Sequence, residues 1–222
     1  AKTLFPYTTL FRSHGGPGQG CYDFQYQATK LSEVINVIIF DQRGVLRSDK
    51  IEDSEPFGLE FIINDCENLR NILGISSWSI LGHSFGGMLA LLYAKKYPKS
   101  IEKVIFESPS FNFLMSMRSV YFKSAEIIQR QGKLDDANKL KAFAETNNLR
   151  SLIDNIGEIS IEVRSEVYHN SEQLKEVKLI NNLIDITEKH WENGKIHLER
   201  LLSDGEIDKD FLPLLSGLQS PS

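Results

Sequence analysis

Leu81-Gly82-His83-Ser84-Phe85-Gly86-Gly87 is the stretch on which the reading of this chain turns. Before it, Trp78 to Leu81 is short and rich in residues that favour strands. After it, Met88 to Tyr97 carries apolar residues at helical spacing. Strand, sharp turn and helix, with Gly82-His83-Ser84-Phe85-Gly86 at the turn, is the pattern of a serine held on a nucleophile elbow. The glycines have a steric cause. A serine on so tight a turn sits in a strained backbone conformation, so the positions two before and two after it must be small. Gly82 and Gly86 meet that need, and Gly87 lets the helix start close to the strand. A plain glycine turn would have the same composition, so the weight rests on the flanking strand and helix.

Working outward, Val34 to Phe40 is apolar apart from Asn36, as a buried parallel strand requires, and it ends in Asp41-Gln42-Arg43-Gly44. Leu59, Ile62, Ile63, Cys66, Leu69 and Leu73 recur at three- and four-residue steps, which predicts an amphipathic helix with Gly74 as its C-terminal cap. Tyr22 to Val34 has looser helical spacing, and Val104 to Phe106 reads as another short buried strand. Strands that alternate with helices imply a mostly parallel sheet flanked by helices, an α/β fold. His14-Gly15-Gly16-Pro17-Gly18 lies ahead of all of these. Such a loop leaves backbone N–H groups uncovered by side chains, either as donors for an oxyanion or simply as flexible chain.

The two ends and the middle differ in texture. Thr3-Leu4-Phe5-Pro6-Tyr7-Thr8-Thr9-Leu10-Phe11-Arg12-Ser13 matches the translation of a widely used sequencing-adapter oligonucleotide, so residues 1–13 are expected to be a library scar in place of a native strand. Read as natural sequence, Tyr7 to Arg12 would itself be a β-strand. Residues 14–110 then form the N-terminal part of the core. Residues 111–210 hold no convincing strand, and Leu114 to Arg130, Asp135 to Thr146, Ile161 to Tyr168 and Leu174 to His197 are helical patches, so an all-helical insertion is expected there. Residues 211–222 turn apolar again, as a return toward the core.

The 222 residues are 41% hydrophobic and 25% charged, ordinary values for a globular chain. A net charge of -5 argues against nucleic acid or an anionic membrane as partner. No stretch approaches the roughly 18 apolar residues of a membrane span. Without a visible targeting segment a cytoplasmic location is the default expectation. Cys21 and Cys66 give neither a disulfide framework nor zinc spacing, and no loop has the ending of a phosphate cradle, so no metal or cofactor is expected.

Three motifs in order, His14 to Gly18, Asp41 to Gly44 and Gly82 to Gly87, resemble the proline iminopeptidase (prolyl aminopeptidase) branch of the α/β-hydrolases. Asp65-Cys66-Glu67, Leu69-Arg70, Leu73-Gly74-Ile75, Trp78, Tyr93-Ala94 and Tyr97-Pro98 extend the resemblance over residues 14 to about 108. Leu46 stands where the family usually has glycine, and no motif of the family's cap can be matched residue by residue.

The resemblance implies a partial α/β-hydrolase fold with a helical cap, truncated at both ends, and a serine peptidase that releases N-terminal proline or another N-terminal residue from small peptides. Ser84 would be the nucleophile, and the N–H groups of Phe85 and Gly16 would form the oxyanion hole. His14, Gly15, Pro17, Gly18, Asp41, Gln42, Arg43, Gly44, Gly82, His83, Gly86 and Gly87 would shape the loops around it. The family's acid and base follow the serine on later strands. Here His169, His190 and His197 fall in the helical stretch and read as solvated, and a triad from Asp185 with His190 or His197 is disfavoured because no strand precedes them. The expectation is a chain without its triad Asp and His, and so without efficient turnover. The substrate amine calls for a carboxylate: Glu158, Glu162, Glu166, Glu192 and Glu199 are candidates, with Glu192 singled out because Trp191 stands beside it. The alternatives are an esterase, lactonase or amidase on the same fold, or a catalytically inactive product.

Overall fold

The computed structural model describes residues 8–169 and 186–218. Contacts divide the chain into one unit from Ala1–Phe111 with Asp185–Ser222, and a second from Asn112–Ile184. The helical stretch expected over 111–210 therefore falls on both.

The first unit is built on a parallel sheet of β1 (Thr9–Ser13), β2 (Asn36–Ile39), β3 (Trp78–His83) and β4 (Ile101–Glu107). The strands lie side by side in the order β2-β1-β3-β4. Thr9–Ser13 thus forms the strand that its Thr and aromatic content allows, while residues 1–7 of the adapter-like stretch lie outside the described residues. It sits between its neighbours, with Phe11 level with Ile38 on one side and Ile80 on the other. Phe11 is fully buried, stacked 4.3 Å from Trp78 and 5.3 Å from Phe40. Burying two rings of this size stabilises the centre of the sheet by about 2–3 kcal/mol each.

Helices α1 (Gln25–Leu31), α2 (Leu59–Ile72) and α3 (Phe85–Lys96) connect the strands. The helix expected over Tyr22–Val34 is shorter, because Tyr22–Phe24 forms a 3-10 turn. That turn brings Asp23 onto the buried Arg12, 2.8 and 3.1 Å away, and sets Phe24 4.4 Å beneath its guanidinium. On α2, Leu59, Ile62, Ile63 and Cys66 face inward, as their spacing predicts, and Gly74 follows with φ +67°. Glu67 ties α2 to α3, accepting hydrogen bonds from Arg70, from the Tyr93 hydroxyl at 2.6 Å and from Ser100 Oγ at 3.1 Å. These partners, Arg70 above all, hold its carboxyl down to about 2.

The second unit packs α4 (Phe113–Arg130), α5 (Leu134–Ala144), α6 (Leu149–Asp154) and α7 (Ile161–Tyr168) around Tyr121, Ala125, Leu140, Leu152 and Ile159. The buried Tyr121 hydroxyl donates to the Leu152 carbonyl at 2.7 Å. Asn112, Asn148 and Ser160 cap three of these helices, each accepting from the backbone N–H three residues on. The last helix, α8 (Glu188–Ser203), belongs to the first unit, and the N-terminal part of the patch expected from Leu174 lies outside the described residues. No described helix is long and apolar enough to cross a membrane.

Candidate active site

The strand order creates the site. From β1 the chain moves to β2 on one side and then returns to β3 on the other. The loops leaving β1 and β3 therefore diverge at their carboxyl ends, where open α/β sheets have their crevice. His14-Gly15-Gly16-Pro17-Gly18 leaves β1 there, and Ser84 leaves β3.

Ser84 has φ +52° and ψ -118°, in a region that L-residues seldom occupy and that costs on the order of 1–3 kcal/mol. Three hydrogen bonds fix it. Its N–H donates to the Glu107 carbonyl at 3.1 Å, and its carbonyl accepts from Gly87 and Ser110, each at 2.9 Å. The flanking glycines answer to space. A Cβ on Gly86 would stand 2.1 Å from the Ser13 carbonyl oxygen, one on Gly82 2.5 Å from that of Gly86, and one on Gly87 2.6 Å from Pro109. β1, β3 and α3 meet too closely here for any side chain.

The glycine-rich loop passes directly over the turn. A Cβ on Gly15 would lie 2.9 Å from the His83 ring and 3.2 Å from Ser84 Cβ. Gly16 follows with φ +116°, and the Gly16–Pro17 peptide is cis. Phe85 opens α3, so its N–H lies in the first turn of that helix.

The Asp41-Gln42-Arg43-Gly44 loop braces its neighbour. Asp41 Oδ1 accepts from the Cys21 N–H at 2.8 Å, and Ser48 Oγ donates to the Asp41 carbonyl at 2.6 Å. The Gln42 N–H donates to His14 Nε2 at 3.1 Å, so that nitrogen is the acceptor and Nδ1 carries the proton it shares with the Gly15 carbonyl at 2.8 Å. His14 is fully buried, and burial lowers its pKa to about 4. Arg43 makes a bidentate pair with Asp65 on α2. Gly44 has φ +66°, and a Cβ there would run into Ile51. Leu46, in the place where the resemblance expects glycine, adopts φ +42° although it is a leucine, its side chain buried against Gly20.

His83 Nδ1 stands 3.0 Å from Glu107 Oε2, close but not aligned for a straight hydrogen bond. This contact, together with Arg12 4.0 Å away, holds the Glu107 carboxyl below its usual range against the opposing effect of burial.

One expectation fails here. His197 is not solvated: it is completely buried, its Nδ1–H donates to the Arg43 carbonyl at 2.9 Å, and its ring meets Phe57 edge-on at 5.0 Å. Burial lowers its pKa to about 4, and Nε2 finds no partner among the described residues. The other attachments of α8 were also missed. Gly194 packs on Gly18 so tightly that a Cβ on either would stand 2.1–2.2 Å from the other's carbonyl oxygen. Asn193 donates to the Leu46 carbonyl at 3.3 Å, and Trp191 meets Tyr22 edge-on at 5.6 Å. The signal available in the sequence was Gly194 itself, since a glycine inside a helix marks a close approach.

Glu192 is exposed on α8, between Trp191 and the residues that dock. Glu199 lies further along that helix. Glu158 pairs with Lys139 at 2.7 Å and Glu166 with Arg130 at 3.7 Å, both in the second unit, which also carries Glu162. His190 accepts from the Thr187 N–H at 3.1 Å at the start of α8, and His169 Nδ1 lies 3.1 Å from the Ser165 carbonyl. Asp185 lies outside the described residues. An open cleft of about 420 Å³ lined by Leu59, Ile63, Leu92 and Phe211 includes no residue of the serine turn.

Comparisons with known proteins agree with this architecture. A family model described as alpha/beta hydrolase fold matches residues 10–156. A proline iminopeptidase of Saccharolobus solfataricus is 38% identical over 101 residues, 45% of this chain and 32% of that protein. One from Heyndrickxia coagulans is 35% identical over 102 residues, 46% of this chain and 35% of its own length. The matches thus span about a third of these relatives. Among solved structures, a proline iminopeptidase-related protein from Thermus thermophilus superimposes with a TM-score of 0.57 at 23% identity, over 95% of this chain and 68% of that one. An α/β hydrolase from a deep-sea metagenome library gives 0.53 at 16% identity, over 97% and 70%.

Proposed function

The chain belongs to the α/β-hydrolase fold family, and from that premise we propose that it carries the nucleophile half of a serine hydrolase of the proline iminopeptidase kind. Ser84 attacks the acyl carbon of a small peptide, and the N–H groups of Phe85 and Gly16 receive the oxyanion. The observation that carries this reading is the left-handed, glycine-flanked conformation of Ser84 directly beneath Gly15. A backbone strained in this way is retained where a side chain must be held out from the sheet. The proposed substrate is a peptide with a free N-terminal proline or similar residue, and Glu192 is the proposed partner of its ammonium group.

A serine hydroxyl needs a base, and a base needs an orienting acid. The described histidines have other contacts: His14 is spent on Gly15 and Gln42, His83 stands against Glu107, His197 is buried on Arg43, His169 lies by the Ser165 carbonyl and His190 accepts from Thr187. Turnover by this chain is accordingly expected to be several orders of magnitude below that of a complete triad.

The test is capture rather than turnover. A fluorophosphonate should add once to the chain, slowly, with the adduct mapped by mass spectrometry to Ser84 and absent from Ser84→Ala. Equal labelling of Ser84→Ala, or no labelling of the parent chain, would overturn the assignment.

A further inference from the structure

Ser48, His14 and two backbone peptides line up in a way that the placing of Ser84 does not require. A turn in which the Ser48 N–H donates to the Val45 carbonyl at 2.9 Å sets the Ser48 side chain against Asp41. Ser48 Oγ donates to the Asp41 carbonyl at 2.6 Å, and the Gln42 N–H of that same peptide donates to His14 Nε2 at 3.1 Å. A peptide N–H can only donate, so Nε2 is bare and the one proton of the neutral ring sits on Nδ1. Nδ1–H donates in turn to the Gly15 carbonyl at 2.8 Å. Full burial keeps His14 neutral, which preserves this arrangement. The Gly15–Gly16 peptide is trans, so its carbonyl and its N–H point in opposite directions. Holding the carbonyl on His14 turns the Gly16 N–H away from the ring, in a loop that passes over Ser84. Hydroxyl, peptide, imidazole and peptide thus all donate in the same direction.

We propose that Ser48 and His14 are positioning residues of the oxyanion hole, a one-directional relay of hydrogen bonds that orients and polarises the Gly16 N–H. The relay rests on the reading of Gly16 as an oxyanion donor. A carbonyl that accepts a hydrogen bond makes the N–H of its own peptide a stronger donor, and bonds aligned in this way strengthen one another. Orientation matters as much as strength. Turning the Gly15–Gly16 peptide over would break the bond to His14 and aim an acceptor where negative charge develops. Through His14, the loop after β2 therefore acts on the donor in the loop after β1, and Ser48 stands at the far end of the series.

The rate of fluorophosphonate capture at Ser84 reads the hole in the full chain. Ser48→Ala should slow capture by about threefold, and Ser48→Thr should restore it. His14→Asn keeps a donor near Nδ1 but no acceptor for Gln42, so it should slow capture about as much as Ser48→Ala. His14→Gln keeps an acceptor near Nε2 but loses the donor, and capture should fall by roughly tenfold or more. A relay also makes the two sites non-additive. In the His14→Asn background Ser48→Ala should change nothing, whereas independent structural effects would multiply. Long-range proton–nitrogen correlation spectra should place the His14 proton on Nδ1. If the His14 variants fail to fold, Ser48→Ala, Ser48→Thr and the spectrum decide. Capture at the parental rate by Ser48→Ala, multiplying effects, or a proton on Nε2 would each overturn the relay and leave Ser84 as the nucleophile. A parent chain that is not labelled would instead overturn the assignment of Ser84, and the relay with it.

Discussion

Ser84 is held at φ +52° by sterics that reach only a few residues along the chain but three elements across space. Gly82, Gly86 and Gly87 each lie against backbone or side chain at distances where no Cβ fits, and the tightest is Gly86 under the Ser13 carbonyl. Gly86→Ala puts its methyl 2.1 Å from that oxygen, and the oxygen belongs to a buried strand end that cannot swing aside. The helix-propensity gain of alanine, about 1 kcal/mol, is outweighed by the overpacking, which costs about 1–3 kcal/mol or more. The expected outcome is a lower urea midpoint and loss of phosphonate capture at Ser84, read by equilibrium unfolding and labelling together. The motif was legible because these constraints are local. That Gly15 would be the residue lying over Ser84 was not, because it depends on which strand pairs with β3.

At the scale of elements, α8 is held by backbone approach rather than by a wide apolar face. Gly194 meets Gly18, Asn193 reaches the Leu46 carbonyl and His197 reaches that of Arg43, so one helix grips the loops after both β1 and β2. Gly194→Ala tests which effect wins. Alone it favours the helix, but its methyl meets the Gly18 carbonyl oxygen at 2.1 Å. We expect a net destabilisation of about 1–2 kcal/mol and altered Trp191 fluorescence as the Tyr22–Trp191 contact opens. A stabilised protein with unchanged fluorescence would show that the helix is not docked this way. The periodicity of α8 revealed a helix but not its seat, because the docking residues are a glycine, an asparagine and a histidine, none of which contributes to an apolar stripe.

For the whole molecule, two buried neutral histidines set the response to acid. His14 and His197 are both lowered to about 4, chiefly by burial. The unfolded chain takes up these protons near pH 6.5, and the folded chain only near 4. Stability is therefore complete above about pH 6.5 and falls as pH drops toward 4, by about 3 kcal/mol for each group. Urea midpoints measured from pH 7.5 down to 4.5 should decline steeply, and His197→Gln should flatten the decline. A midpoint constant across that range would place these rings in contact with water.

Alone, the sequence determined the elements that local physics dictates: the glycine-flanked turn at Ser84, the amphipathic α2 with its Gly74 cap, the apolar run of β2, which is only partly buried, and α4, α5 and α7 of the second unit. It also fixed the order of the three motifs, and with it the family likeness. Tertiary structure decided the rest. Thr9–Ser13 becomes a central strand because Phe11 stacks between Trp78 and Phe40, contacts that no neighbouring residue announces. Arg12 is buried because Asp23 and Phe24 turn back over it, and His197 enters the core because Gly18 and Gly194 let two backbones touch. Local sterics are written in a few adjacent residues, whereas burial and pairing depend on partners tens to well over a hundred positions away.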